Sequence, residues 1–399
     1  MAAFIPYGAY WSTPFAKWQG SLANLNAVQL AAVCGKQALA ARRVPLEAID
    51  LAILGITNPQ KGSFYGLPWL TGMMGLDRVA GPTIQQACAT SVRALQMASH
   101  EVRDGSSQCT LLVMADRQSN GPVVYYPDPT GSGGYGITEH WVPDNMAHDP
   151  YAKNPMIKTG ENVAARYGFS TAQQHALKLR RYEQYQEAVA DDRAFQKRYM
   201  VEVPLSDSRF RKLTGTLSTD EGVFPTTAEG LAKLKPVLEG GTVTFGGQTH
   251  PADGNAGALV TTRERARELA TDKGIEVELL SFGQHREAPG YMPAAPGPAA
   301  AQALQRAGLS VAQVDAIKTH NPFAVNDLAL AADLGFPWER MNNYGSSIIW
   351  GHPQAPTGLR GVIELIEELV LRGGGVGLFT GCAAGDTGLA TVIRVTDSR

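Results

Sequence analysis

With 399 residues, 44% of them hydrophobic and 18% charged, the chain has the composition of an ordinary folded protein, long enough for two domains or one large double unit. A formal net charge of −2 removes any global electrostatic attraction to nucleic acid or anionic membrane, so an anionic ligand would need a local basic patch. No stretch approaches the roughly 18 consecutive apolar residues of a membrane span, and the opening MAAFIPYGAYWSTPF lacks the regions of a signal peptide, so the expected compartment is the cytoplasm.

Taken in chain order, helix-like and strand-like runs alternate. NAVQLAAVCGKQALAAR predicts a helix, LAILGI (51–56) a short buried strand, SVRALQMASHEVRDG a Gly-ended helix and CTLLVMA (109–115) a second strand. Residues 119–248 break this rhythm. SNGPVVYYPDPTGSGGYGITEH reads as loop, and TGENVAARYGFSTAQQHALKLRRYEQYQEAVADD reads as long polar helices with Ser170 as an N-cap. The rhythm then returns with VDAIKT (314–319), the helix TGLRGVIELIEELVLRGG and VGLFTG (376–381). Such alternation predicts a largely parallel sheet covered by helices.

The two ends echo one another. Asn58 precedes Cys88 by about 30 positions and Asn321 precedes His352 by about 31, and each is followed by a helix, a glycine turn and a strand. A duplicated unit explains this, although many α/β chains carry similar rhythms. The expected divisions are a first half over 1–118, an insertion over 119–248 that covers the site, a return segment over 249–270, and a second half over 271–399.

Cys34, Cys88, Cys109 and Cys382 form no C-x-x-C pair, which argues against a zinc or thioredoxin-type site, and free thiols are expected. A free cysteine is usually a small buried apolar residue. Cys88, however, stands at a predicted helix start, where the dipole and backbone N–H groups favour a thiolate. His352 stands at the matching junction, while His320 and Cys382 each follow a strand directly, facing the crevice where open α/β sheets bind ligands. Each histidine taken singly could be structural. Two cysteines and two histidines at such positions together indicate a nucleophilic site.

These residues resemble those of the thiolases, which cleave or form 3-ketoacyl-CoA. QACATSVRA looks like the nucleophile block, and THNPFA is similar to the N/H-E-A-F block. GSSIIWGHPQAPTGLR resembles the block around the family histidine, and GCAAGDTGLA resembles C-x-G-x-x-x-G. KTGENVAARYGFSTAQQHALKLRRYEQ and STDEGVFPTTAEGLAKLKPVLEGGTVTFGGQTHPADGNAGA match the loop domain and the return from it. The resemblance implies duplicated βαβαβαββ halves in a five-layered α-β-α-β-α core with an inserted loop domain. It also implies roles: Cys88 as acyl-accepting nucleophile, His352 as its base, and Cys382 as the acid/base at the substrate's α-carbon. His320 with His352 would hold the enolate oxygen, and the amides of Cys88 and Ala384 a second oxyanion. Coenzyme A enters as substrate, and neither a covalently bound cofactor nor a metal is implied.

Asn321 stands where the family commonly has Glu, Pro155 where many members have His, and Thr249 where a Ser often meets the pantetheine arm. CoA candidates are Thr249, Arg180, Arg181, Arg211 and Lys212, with Lys178 and Arg209 beside them; any one of them could simply be a solvated helix face. Met156, Tyr125, Tyr126, Tyr135 and Trp141 are candidates for the acyl pocket, as are the N-terminal Trp11, Phe15 and Trp18, unless they serve packing. An aromatic pocket suits a bulky 3-oxoacyl group and aromatic degradation, with similarity to the benzoylsuccinyl-CoA thiolase type. Within the family the chain resembles most the sterol-carrier-like branch, whose members often work with a small zinc-ribbon/OB-fold companion subunit, and a homodimer or higher homo-oligomer is expected. Alternatives are a condensing enzyme on the same fold and a non-catalytic acyl-CoA-binding subunit.

Overall fold

The computed structural model describes residues 2–399. Each half is built around a short parallel pairing. In the first, Leu51–Gly55 lies parallel to Cys109–Arg117, which then pairs antiparallel with Ala252–Thr261. In the second, Ala316–His320 lies parallel to Gly374–Ala383, which pairs antiparallel with Thr387–Asp397. Helices Thr90–Asp104 and Ala355–Leu371 occupy equivalent places before the second strand of each unit. The internal echo in the sequence is therefore a structural repeat.

The expectation of a largely parallel sheet is corrected: the sheet is mixed. Parallel neighbours are joined by crossover helices. Gly374–Ala383, by contrast, turns straight into Thr387–Asp397 through Gly385 (φ 80°) and Asp386 (φ 59°), and so tight a turn imposes antiparallel pairing. The N-terminal strand Ala3–Pro6 pairs with Ile275–Arg286 and touches Ala252–Thr261, joining both halves into one eleven-stranded sheet.

Three hydrophobic clusters mark the layers. A central one holds Val92, Leu95, Leu359, Val362 and Ile366 from the two crossover helices; outer ones hold Val28 and Leu39 on one side and Ala303 and Leu330 on the other. The two central helices meet closely, with Ser91 Oγ donating to the Ala355 carbonyl. A Cβ on Gly358 would come within 3.3 Å of Ser91 Cβ, so glycine allows the approach. Helix Ala355–Leu371 is buried from Ala355 to Val370 and is not amphipathic in its surroundings. Its charges are paired instead: Arg360 with Asp220 and Glu364, and Glu364 also with Lys318.

The segment after the first half is more structured than a loop. It contains the hairpin Val123–Tyr126 with Ile137–His140, then helix Trp141–Ala147. Helix Met156–Tyr167 and the long helix Thr171–Lys197 follow, the latter started by a capping box between Ser170 and Gln173 and interrupted by non-helical backbone at 190–193. A second hairpin, Val203–Ser206 with Leu213–Leu217, precedes the return to the sheet. Among the described residues no helix is long and apolar enough to cross a membrane.

Candidate active site

Cys88 sits in the turn between strand Thr83–Ile84 and helix Thr90–Asp104. The residue before it, Ala87, holds φ at 43°, a left-handed conformation that costs a non-glycine residue about 1–2 kcal/mol. Thr90 secures this turn: its Oγ1 accepts the Gln86 amide at 2.9 Å and donates to the Ala87 carbonyl at 2.7 Å. The strain presents a half-buried Cys88 thiol to a cavity of about 470 Å³, also lined by Met156, Thr249, Phe323, His352 and Gln354.

His352 is held by its backbone amide on the His250 carbonyl at 2.9 Å and by Nδ1 at 2.7 Å from Thr357 Oγ1, in the first turn of Ala355–Leu371. With Nδ1–H donating to Thr357, the Nε2 lone pair faces Cys88 Sγ at 3.0 Å. Burial pushes the Cys88 thiol up to about 12, opposed by the backbone amides of Ala384 and Cys88 that point at the sulfur. Burial, with His250 adding to it, pulls His352 down to about 3. The resting pair is therefore a neutral thiol and a neutral imidazole, and charge separation has to be stabilised by the substrate complex.

His320 ends strand Ala316–His320 and is buried; its ring stacks on that of His352 with centroids 4.0 Å apart and planes 28° from parallel. Its Nδ1 lies 2.9 Å from Ser347 Oγ, and its Nε2 is buried without a partner. Burial, then His352, drive its proton affinity well below that of an ordinary histidine. Ligating atoms of Cys88, His320 and His352 lie within 4.8 Å of one another, close enough for one oxygen atom, or one metal ion, to meet all three. Cys382 lies next to last in the adjacent strand Gly374–Ala383, buried among Phe323, Met292 and Val163. Asn326 Nδ2 donates to Cys382 Sγ at 3.2 Å, and burial together with the nearby Cys88 keeps that thiol protonated.

Cys88, His320 and His352 thus come together, Cys382 lies near Cys88, and the Ala384 amide points at the Cys88 sulfur. The CoA candidates do not gather in the same way. Arg181 is fully buried, its guanidinium on Asp327, Gln184 Oε1 and the Trp338 carbonyl, so it joins the long helix to the second half and is not free for a ligand. Arg209, Arg211 and Lys212 lie exposed at the tip of the 203–217 hairpin, where Asp207 accepts the amides of Arg211 and Lys212. Arg180 is half-buried beside Glu183. Thr249 does line the reactive cavity and also a second one of about 530 Å³, whose wall includes Lys178, Phe245 and His250.

Of the aromatic candidates, Trp141 and Tyr126 line a third cavity of about 500 Å³, together with Met156. Tyr135 is 80% exposed, and Tyr125, 57% exposed, uses its hydroxyl to accept the Gly136 amide, so both face solvent. Trp11 and Phe15 are core residues and Trp18 lies near the surface; none of the three lines the reactive cavity.

Sequence reasoning missed Thr357, Ser347, Asn326 and Asp116. Asp116 is buried and accepts the amides of Thr57, Asn58 and Ala355, tying the two halves together behind Cys88, and burial raises its carboxyl to about 7. Only Thr357 carried a signal, as the first-turn hydroxyl five residues beyond His352. Asp116 is brought in by the packing of one half on the other, whereas Ser347 and Asn326 reach His320 and Cys382 through the folding of the second half itself.

Residues 9–264 match the thiolase N-terminal domain and residues 274–395 the thiolase C-terminal domain. The chain is 30% identical over 393 residues to the acetyl-CoA acetyltransferase of Escherichia coli K12, covering 96% of each, and 31% identical over 361 residues to mouse peroxisomal 3-ketoacyl-CoA thiolase A, covering 88% of this chain and 81% of that one. Its fold superposes on a Bacillus anthracis acetyl-CoA acetyltransferase with a TM-score of 0.89 at 26% identity, covering 99% and 98% of the two chains. It matches human mitochondrial 3-ketoacyl-CoA thiolase in complex with CoA equally well, with a TM-score of 0.89 at 25% identity and the same coverage. These relatives do not single out the sterol-carrier-like branch. Two domain matches spanning nearly the whole chain and relatives of both kinds along its full length lead to one conclusion: the chain belongs to the thiolase family and is an acyl-CoA C-acyltransferase.

Proposed function

We propose that the enzyme works in the degradative direction, cleaving a 3-oxoacyl-CoA with CoA and passing a bulky acyl group through Cys88. The observation that carries this reading is the 3.0 Å contact of Cys88 Sγ with His352 Nε2, at a cavity that continues past Thr249 on one side and past Met156 on the other. Cys88 gives its proton to His352 as sulfur attacks the 3-oxo carbon. The oxyanion forms against the amides of Cys88 and Ala384, which need no reorganisation to receive it. Collapse breaks the bond between the α- and β-carbons. The departing enolate places its thioester oxygen between His320 and the now protonated His352, and Cys382 supplies the proton to its α-carbon. CoA then gives its thiol proton to Cys382 and takes the acyl group, and the Cys88 sulfur released by collapse recovers its proton from His352.

His320 must present Nε2–H to serve this step, so Ser347 has to give its hydroxyl proton to Nδ1. Ser347 Oγ also lies 3.1 Å from Asn321 Oδ1, and when it turns its proton to His320 that oxygen keeps the Ile348 amide, at 3.2 Å, as a donor. In place of Arg181, Lys178 and Thr249 are the contacts proposed for CoA, at the wall of the second cavity. The protein is further proposed to act as a homo-oligomer, since its sheet ends beside Cys88 at the two-residue strand Thr83–Ile84 with Thr83 exposed. The test is CoA-dependent loss of the 3-oxoacyl-CoA enolate absorbance, with wild type beside Cys88→Ala. Turnover surviving in the variant removes the assigned mechanism.

A further inference from the structure

The third cavity adjoins the reactive one. Gln118, Val142, Met146, Met156, Met292 and Gln354 belong to both walls, so an acyl chain held on Cys88 has about 500 Å³ of additional space in that direction. The chemistry of this space is unusual for a fatty chain. Its charged residues are Glu139, Asp149 and Asp386, and among the described residues no lysine, arginine or histidine lines it. Asn58, 1% exposed, stands on the same wall with its Oδ1 buried and without a hydrogen-bond partner. Asp149 holds the Tyr151 and Ala152 amides with Oδ1 alone, at 2.7 and 2.8 Å. Asp386 is 4% exposed, with Oδ2 on the Gly290 amide. Burial and the proximity of Asp149 both raise its carboxyl, so these two acids already repel further negative charge. What the wall lacks are cations.

We infer that the acyl group carried by Cys88 bears a hydrogen-bond-donating hydroxyl near its far end and no carboxylate. This rests on the proposed thiolysis. A hydroxyl gives its proton to Asn58 Oδ1 or to an acid oxygen, whereas an alkyl end leaves these acceptors unpaired. A carboxylate there would meet three acids and no cation.

The experiment compares thiolysis of three 3-oxohexanoyl-CoA esters alike except at C6, which carries hydrogen, hydroxyl or carboxylate in place of the terminal position. Expected is a kcat/KM for the hydroxyl ester about tenfold above the alkyl ester, and for the carboxylate ester about a hundredfold below it. Asp149→Asn keeps the Oδ1 that accepts the two amides and removes the charge. It should narrow the gap between carboxylate and alkyl esters about tenfold. A carboxylate ester cleaved as well as the alkyl one, or a hydroxyl ester no better than it, overturns the inference on wild-type enzyme alone and leaves the thiolase reading intact. Failure to cleave any of the three, with acetoacetyl-CoA also inert, overturns the thiolysis reading instead.

Discussion

The rings of His320 and His352 stack at 4.0 Å, although the two histidines come from different junctions of the second half: one ends a strand and the other precedes a helix. Each ring uses Nδ1 on a hydroxyl, Ser347 for the first and Thr357 for the second, which turns both Nε2 atoms toward Cys88. Two imidazoles so close and so deeply buried cannot both be charged. Only the one that receives the Cys88 proton becomes an imidazolium, and only during the reaction.

Removing His320 therefore removes one of two enolate donors without disturbing the nucleophile. His320→Ala is expected to lower kcat by about 10²–10³-fold, with little change in the KM for CoA. Ser347→Ala leaves the ring in place but releases its tautomer, so a smaller loss of about tenfold in kcat is expected. Steady-state kinetics beside thermal unfolding separates the two effects. A Ser347→Ala enzyme that loses stability but not kcat removes the positioning role.

The neutral resting pair has its own signature. With burial holding the Cys88 thiol up to about 12 and His352 down to about 3, the free enzyme is expected to keep a neutral thiol at neutral pH. Alkylation by iodoacetamide, followed by mass spectrometry of the Cys88 peptide, should accelerate steadily as pH rises beyond 8 and show no plateau near neutrality. A plateau between pH 5 and 7 would mean a standing thiolate–imidazolium pair.

Lys178 donates to the Ile348 carbonyl at 2.6 Å, and burial lowers it to about 8. It carries charge below that value and loses it above. The KM for CoA is expected to rise as pH passes from 7 to 9, and Lys178→Met should raise it about tenfold at pH 7 and flatten this dependence. Arg211→Ala, on the exposed hairpin tip, should change it less than about twofold. Equal effects of the two substitutions would place CoA elsewhere.

Arg360 joins the inserted segment to the central helix through two bonds to Asp220, at 2.6 and 2.8 Å, with both side chains fully buried. Arg360→Met leaves Asp220 and Glu364 in the interior without their cation and is expected to cost about 3–5 kcal/mol of unfolding free energy in urea titration. The double variant with Asp220→Asn should lose less than the sum of the single losses, since the stranded charge goes with its partner.

The sequence alone determined the elements whose signal is local. The strands at 51–55 and 316–320 were legible as short apolar runs, and the cap at Ser170 as a hydroxyl ahead of a polar helix. Cys88, His320, His352 and Cys382 were legible because each interrupts a regular element at its end, where strand and helix rules both lapse. Packing decided the rest. Helix 355–371 reads as one-sided, yet the sheet and the first-half helix enclose it, and only the tertiary partners explain why Arg360 and Glu364 are tolerated there. Arg181 looked like one more surface cation on a basic helix until Asp327 was found against it, 146 residues away. The antiparallel return of the sheet, the hydroxyls behind the histidines and the acid-lined cavity beyond Met156 have the same origin. Each depends on contacts between residues far apart in the chain, and a linear pattern of hydrophobicity records which face is buried but not what it is buried against.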